Sequence, residues 1–235
     1  NTTIVEKPQE GITTVAARIA KLINRREANG QKTVLSLASG RSMRDLFIEL
    51  VRLHKEEGLS FKNVVVFGSY EFYPLADKNL GSMAQIQSQF LDHIDILPEN
   101  IHTFPGDLPK ETVFTFCEEY EKAIEAAGGI DIQVLGIGQC GNIAVNEPGT
   151  QPNSSTRLVI MDGNSRMDAK SLFGHATQVP TCAITLGIDT ILQAKEVILL
   201  AFGQHKAGIV KQAIEEVANA ACPASYLQLH KNASF

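Results

Sequence analysis

The amino-acid sequence predicts an α/β fold, a doubly wound and mostly parallel sheet with helices on both faces. Short apolar runs typical of buried parallel strands alternate along the chain with longer segments that carry apolar residues at the helical period. Glycine-containing turns follow several of these runs, as expected where a strand leads into a helix. The chain has 235 residues, 44% of them hydrophobic, which fits one domain over residues 1–235.

The alternation begins with a helix over residues 11–28. Apolar residues such as Val15, Ile19 and Leu22 recur there at the helical period, and Gly30 ends the run. The elements predicted after it are a strand at 33–37, a helix at 46–58, a buried strand at 64–67, a helix at 82–91 and a strand at 101–104.

The second half continues this pattern around a central strand at 132–137. A glycine turn follows that strand, and the next segment starts like a helix before residues 146–149 stop it. The stretch 150–181 is polar and irregular apart from a helix at 168–173. The remaining elements predicted are a helix at 112–127, a helical turn within 184–192, a strand at 196–202, a helix at 206–218 and a last strand at 225–229.

Composition and charge exclude several classes of function. The net charge is −5 with no block of like charge, which disfavours a nucleic-acid or membrane-surface partner. No apolar run approaches the ~20 residues that span a bilayer. The four cysteines and six histidines lack metal-ligand spacing, so we expect reduced thiols, a cytoplasmic protein, and neither metal nor cofactor.

The first turn of chemical interest is Ser39, Gly40, Arg41 and Ser42, between a predicted strand and a predicted helix. Ligands of doubly wound sheets lie beyond the carboxyl ends of the strands, where such turns gather. Hydroxyl groups and backbone N–H groups at a helix start suit a phosphate. The alternative is a serine N-cap in an ordinary turn.

The central turn carries three glycines, Gly136, Gly138 and Gly141, in the spacing G-x-G-x-x-G. That spacing alone is weak evidence for a phosphate site, because glycines also mark plain tight turns. A dinucleotide site also needs an acidic residue about 20 positions later. Leu158 stands there, so we reject a dinucleotide site.

The longer string around this turn resembles the glucosamine-6-phosphate deaminase family, also called glucosamine-6-phosphate isomerase. The family pattern is Gly-Ile-Gly, any residue, Asp-Gly-His-Ile-Ala-Phe-Asn-Glu-Pro-Gly. This chain keeps ten of its residues, namely Gly136, Ile137, Gly138, Gly141, Ile143, Ala144, Asn146, Glu147, Pro148 and Gly149. The resemblance extends from about residue 3 to residue 233 and implies the fold of that family.

The resemblance implies a sugar-phosphate site built from several parts of the chain. The family holds the phosphate with Thr-Gly-Gly-Thr, or serine variants, where this chain has Ser39 to Ser42, with Arg41 in place of a glycine. Lys206 matches a lysine that reaches the phosphate. Lys170 stands where the family usually has a phosphate-binding arginine, although Arg166 is also close to that position.

The proton-transfer positions depart from the family. Tyr70 replaces the aspartate base, and Asn142 replaces the histidine that opens the sugar ring. Cys140 replaces an aspartate that supports the histidine, whereas Glu147 is kept and Glu71 matches a neighbouring glutamate. We expect Tyr70 to be a packing residue beside a pocket and Cys140 to be a small buried side chain. A phenol is a poor base at neutral pH, and asparagine cannot carry a proton.

Two hypotheses follow. The protein is an enzyme that acts on an amino-hexose 6-phosphate with altered proton-transfer residues, or it is an impaired paralogue that binds a sugar phosphate as a sensor or regulator. The related 6-phosphogluconolactonases share the fold, but the Asn146-Glu147-Pro148-Gly149 ending favours the deaminase branch. The family includes monomers and oligomers, so a homo-oligomer stays open.

Overall fold

The computed structural model describes residues 1–235, except for the side chain at position 176. Its strands, numbered in chain order, are β1 (Thr33–Leu37), β2 (Val64–Gly68), β3 (Tyr70–Tyr73), β4 (Ile101–His102), β5 (Ile132–Gly136), β6 (Arg157–Ile160), β7 (Cys182–Thr185), β8 (Glu196–Leu200) and β9 (Ala233–Ser234). Six of them form the main sheet in the order β4-β2-β1-β5-β8-β9, and all the neighbouring pairs are parallel.

The α-helices cover both faces of this sheet. They are α1 (Pro8–Ala28), α2 (Arg41–Glu57), α3 (Ser82–Gln89), α4 (Val113–Ala126), α5 (Gly163–Phe173), α6 (Ile188–Leu192) and α7 (Ala207–Glu215). Side chains alternate along each strand, so Leu35 and Leu37 of β1 pack with α1, α2 and α3, whereas Val34 packs with α4, α6 and α7. The predicted fold class is confirmed.

A second, antiparallel sheet in the order β3-β7-β6 was missing from the sequence prediction. A single residue separates the end of β2 from the start of β3. The edge strand β6 is half-exposed along most of its length. The small sheet shares an apolar cluster with α5, in which Phe72 packs edge-to-face on Phe173. The stretch 150–181, predicted as mostly irregular, therefore contains β6 and a helix that begins at Gly163, not at residue 168.

Two other predicted elements differ in the structure. Residues 138–149 after β5 form turns and one isolated bridge between Ile143 and Asn146, so the predicted helix start is wrong. The predicted strand at 225–229 is a 3₁₀ helix, Pro223–Leu229, and the strand β9 follows it. The helical turn predicted within 184–192 is confirmed as α6, which follows the end of β7.

The parallel register brings four turns to the carboxyl edge of the main sheet. They follow the neighbouring strands β2, β1, β5 and β8, and Leu37 at the end of β1 pairs with Gly68 at the end of β2. None of the helices in the described residues combines the length and apolarity that crossing a membrane requires.

Candidate functional site

The turn between β1 and α2 leaves a helix N-terminus open. Gly40 precedes α2 with φ 131°, a value that favours glycine, and the first intrahelical bonds run from Met43 and Arg44 to the Gly40 carbonyl, each 3.1 Å long. The amides of Arg41 and Ser42 lie before these bonds. Among the described side chains none caps this helix, so the alternative of a serine N-cap is not what the structure forms.

Lys206 lies beside this turn. It follows β8 in the 3₁₀ helix Gln204–Lys206, is half-buried, and its Nζ donates to the carbonyl of Ile137, 2.9 Å away. The pKa of Lys206 is lowered chiefly by burial, with the Arg41 cation also lowering it and Asp168 and Cys140 raising it. Lys206 is thus within electrostatic range of Asp168 from α5, Arg41 from α2 and Cys140 from the central turn.

The central turn folds back on itself around two glycines. The amide of Gly138 donates to the carbonyl of Asn142 over 2.9 Å, and the Asn142 side chain lies where a Cβ on Gly138 would stand. Gly141 has φ 78°, and Cys222 packs against it. A side chain at either glycine would displace these neighbours, so both glycines serve packing as well as the turn.

The helix α5 docks on the central turn through side chains that the sequence prediction did not include. Asn142 Nδ2 donates to Ser165 Oγ at 3.3 Å, and Gln139 Nε2 donates to Asp168 Oδ1 at 2.8 Å. Asn164 Nδ2 donates to the Cys140 sulfur at 3.3 Å. Cys140 is half-buried in the turn, which corrects the expectation of a buried side chain. The sequence predicted a helix only at 168–173, so the first half of α5 was missed, and the polar residues with which α5 contacts the turn gave no signal of their own.

Glu147 lies at the end of this turn, and one of its two carboxylate oxygens accepts a hydrogen bond within the protein. Its Oε1 accepts the amide of Asp162 at 3.1 Å. Its Oε2 is buried and has no hydrogen-bond partner among the residues that the structure describes. A buried carboxylate oxygen without a partner is costly, so a hydrogen-bond donor from a ligand would stabilise it.

Tyr70 opens β3, and its phenol reaches the phosphate-binding turn predicted from the sequence. The hydroxyl oxygens of Tyr70 and Ser39 are 2.8 Å apart, and the Tyr70 ring packs edge-to-face on Phe72 at 5.8 Å between centroids. Burial raises the pKa of the Tyr70 phenol. This residue therefore stays protonated at neutral pH, and it both packs and donates or accepts a hydrogen bond.

Glu71, the next residue on β3, contacts a different part of the molecule. Its buried carboxylate accepts the amides of Ser82 at 2.7 Å and Met83 at 2.9 Å, which open α3, and that of Phe72 at 2.8 Å. Burial raises the pKa of Glu71, while these three backbone bonds act in the opposite direction. The structure thus uses Glu71 to cap α3 and does not join it to Cys140, Asn142 and Glu147.

Lys170 and Arg166 both lie on α5, but in different settings. Asn164 and Asp168 contact the central turn, and Lys170 lies two residues beyond Asp168, about 200° around the helix. Lys170 is exposed, whereas Arg166 is half-buried and donates from Nη2 to the Val179 carbonyl over 3.1 Å. The helix geometry turns Lys170 away from the central turn.

The chain is similar to proteins of one known family along nearly its whole length. Residues 6–235 match the family model described as glucosamine-6-phosphate isomerases/6-phosphogluconolactonase. A glucosamine-6-phosphate deaminase-like protein of Bacteroides thetaiotaomicron is 47% identical over 233 residues, and the chain spans only 35% of that relative's length. The glucosamine-6-phosphate deaminase of Shewanella woodyi is 40% identical over 220 residues, which are 93% of this chain and 83% of that protein.

A solved structure of a monomeric glucosamine-6-phosphate deaminase superposes on the fold with a TM-score of 0.93. It shares 32% sequence identity and covers 100% of this chain and 95% of its own. The superposition accounts for the main parallel sheet and the helices on both of its faces, and the resemblance found in the central turn is confirmed over nearly the whole chain.

Proposed function

Because the chain belongs to the family of glucosamine-6-phosphate isomerases and 6-phosphogluconolactonases, we propose that it acts on an amino-hexose 6-phosphate in aminosugar metabolism, with altered proton-transfer residues. The observation that carries the proposal is the cationic end of the site. There, Lys206 and Arg41 lie within electrostatic reach of each other beside the open N-terminus of α2. A phosphate dianion would relieve the repulsion between the two cations and would accept the free amides of the helix.

The residues at the proposed phosphate-binding end of the site follow three strands of the main sheet. Ser39, Gly40, Arg41 and Ser42 follow β1, the Ile137 carbonyl that holds Lys206 follows β5, and Lys206 follows β8. These strands are neighbours, so their ends meet at one edge of the sheet. We assign Lys170 no phosphate contact in this proposal, because it lies on the side of α5 away from the central turn.

The other end of the site supplies the chemistry. Glu147 is the carboxylate that matches the family and has an unpartnered oxygen, so it is the residue we propose to accept or deliver a proton. Asn142 can hold a sugar hydroxyl by a hydrogen bond but cannot shuttle a proton. Cys140 contributes a half-buried thiol near Lys206. Turnover by this set should be slow compared with a site that has both an aspartate base and a histidine.

A second candidate is a sugar-phosphate binder without significant turnover. The contact between Tyr70 and Ser39 favours it, because the residue at the base position is committed to a hydrogen bond within the protein. A 6-phosphogluconolactonase activity is the least supported alternative. The Asn146-Glu147-Pro148-Gly149 ending resembles the deaminase branch, and hydrolysis would need the missing histidine as well.

We further propose a cytoplasmic protein whose partner is a small sugar phosphate rather than a nucleic acid or a membrane surface. The net charge of −5 and the four free cysteines support this setting. A homo-oligomer is compatible with the proposal, but the proposal does not require one.

Calorimetric titration with glucosamine 6-phosphate, glucose 6-phosphate and inorganic phosphate tests the function. We expect the aminosugar phosphate to bind most tightly and inorganic phosphate to compete with it. Equal affinity for all three ligands would show that the site binds anions without recognising the sugar. The absence of binding would refute the proposal. Hydrolysis of 6-phosphogluconolactone without any binding of the aminosugar phosphate would instead favour the lactonase alternative.

A further inference from the structure

The phenol of Tyr70 contacts the phosphate-binding turn at one defined atom. The register between β1 and β2 sets Leu37 beside Gly68, and the amide of Ser69 donates to the Leu37 carbonyl at 2.9 Å. The two turns therefore leave the sheet side by side, and the Tyr70 hydroxyl oxygen comes within 2.8 Å of Ser39 Oγ. Either oxygen can donate in this contact, so its direction must come from the groups around it.

Ser82 supplies that direction. Its hydroxyl is fully buried on α3 and makes no hydrogen bond within the described part of the chain. Burial raises the pKa of the Tyr70 phenol, and the nearby Ser82 hydroxyl lowers it. A buried hydroxyl requires an acceptor, and the phenol oxygen of Tyr70 is placed to serve as one. If Tyr70 accepts from Ser82, its own proton is available to Ser39. Gln85 Nε2, also from α3, approaches Ser39 Oγ at 3.5 Å as a second and longer donor.

If Tyr70 donates in this way, the proton of Ser39 is not used within the protein and is free to meet a ligand. With Tyr70 as the donor, the Ser39 oxygen accepts from the phenol and is approached by the Gln85 amide, so both of its lone pairs face donors. Its remaining O–H then lies in the turn that precedes the open end of α2. A hydroxyl oriented in this way before a ligand arrives loses less freedom when it binds one.

We propose that Tyr70 is a positioning residue that holds the Ser39 hydroxyl as a donor to the phosphate of the ligand. This inference rests on the proposed sugar-phosphate function and deepens it. The position that matches the family's base has become part of the phosphate-binding end of the site, and the ligand class it serves is a phosphate monoester. Tyr70→Asp, which would restore the family's carboxylate, should accordingly weaken the binding of phosphate, because aspartate is too short to reach Ser39 and adds a negative charge.

The test compares Tyr70→Phe with Tyr73→Phe by calorimetric titration of inorganic phosphate and of glucosamine 6-phosphate. The control, Tyr73→Phe, removes a phenol from the same strand. The Tyr73 hydroxyl donates to the Leu108 carbonyl at 2.8 Å and not to Ser39. Tyr70→Phe should bind both ligands about three- to tenfold more weakly, as expected for one hydrogen bond, and the control should bind as the unmodified protein does. Ser39→Ala should also weaken binding, and adding Tyr70→Phe to it should cause no further loss.

The outcomes separate this inference from the proposed function. Unchanged or tighter binding by Tyr70→Phe would overturn the inference alone, and tighter binding would show that Tyr70 competes with the ligand for Ser39. A full additional loss in the double variant would show that Tyr70 does not act through Ser39, and an equal loss in Tyr73→Phe would show a general structural effect. Absence of binding by the unmodified protein would overturn both the inference and the proposed function.

Discussion

Replacing Lys206 by alanine tests the phosphate end of the site. The Nζ atom is half-buried and is held by the Ile137 carbonyl, so it needs little reorganisation to meet a phosphate oxygen. A unit charge pair at about 4 Å attracts by about 4 kcal/mol at an intermediate dielectric, and the removal of water from both groups offsets much of that. We therefore expect Lys206→Ala to lose about 1–3 kcal/mol of binding free energy, or about a 5- to 150-fold rise in Kd.

The assay is calorimetric titration with glucosamine 6-phosphate, with Lys211→Ala as the matched control. Lys211 lies on α7 close to Lys206 in the chain and is exposed, so its loss changes the net charge equally without touching the site. Thermal unfolding of both variants checks that the fold is intact. Equal Kd values for Lys206→Ala and the control would refute the assignment of Lys206 to the phosphate.

Three further results are expected. Burial and Arg41 lower the pKa of Lys206, so phosphate affinity should fall as the pH rises through that lowered pKa. Arg41→Ala should move this loss of affinity to higher pH. An unchanged dependence of phosphate affinity on pH in Arg41→Ala would contradict this. Asp131→Asn should destabilise the protein by about 3 kcal/mol in urea unfolding, since the buried carboxylate of Asp131 pairs with Arg26 and Lys195; a change close to zero would show that the charge is dispensable. Thiol titration of denatured, unreduced protein should count four reactive groups, and a lower count would indicate a disulfide.

The inner strands of the main sheet, β1, β2, β5 and β8, could be predicted from the sequence because they are buried on both faces, whereas the two-residue edge strand β9 was missed. The continuous apolar runs within Val64–Gly68 and Glu196–Leu200 leave few other interpretations. The small sheet could not be found in this way. Its edge strand β6 is half-exposed, and β3 is separated from β2 by one residue, so the chain shows no boundary between them. Its pairing depends on contacts between distant parts of the sequence, which local patterns do not record.

The candidate site was predictable where a strand end fixed the position of a residue. Ser39 and Arg41 follow β1 and Lys206 follows β8, two parallel strands with β5 between them, so their turns lie at the same edge of the sheet. The contacts of α5 depend on how a helix packs across the central turn, so Ser165 and Asp168 gave no signal in the sequence. Adjacent residues of a strand point to opposite faces, and the structure shows that Tyr70 meets Ser39 whereas Glu71 caps α3.

Glu147 is central to the proposed chemistry because its unpartnered oxygen lies where the family keeps a glutamate. Replacing it by glutamine preserves its size and removes its ability to accept a proton. General acid–base groups typically contribute about 10²–10⁴-fold to a rate, so the loss should be visible even against slow turnover. Glu71→Gln is a poor control here, because Glu71 caps α3 and its loss would act on stability.

Ammonia release from glucosamine 6-phosphate is the most direct test of the central claim. The unmodified protein, Glu147→Gln, and the double variant Tyr70→Asp with Asn142→His should be assayed at a saturating concentration of the sugar. We predict slow release by the unmodified protein, none above background by Glu147→Gln, and faster release by the double variant. Fast release that does not depend on Glu147 would contradict the roles assigned to these residues, and the absence of both release and binding in every variant would contradict the function itself.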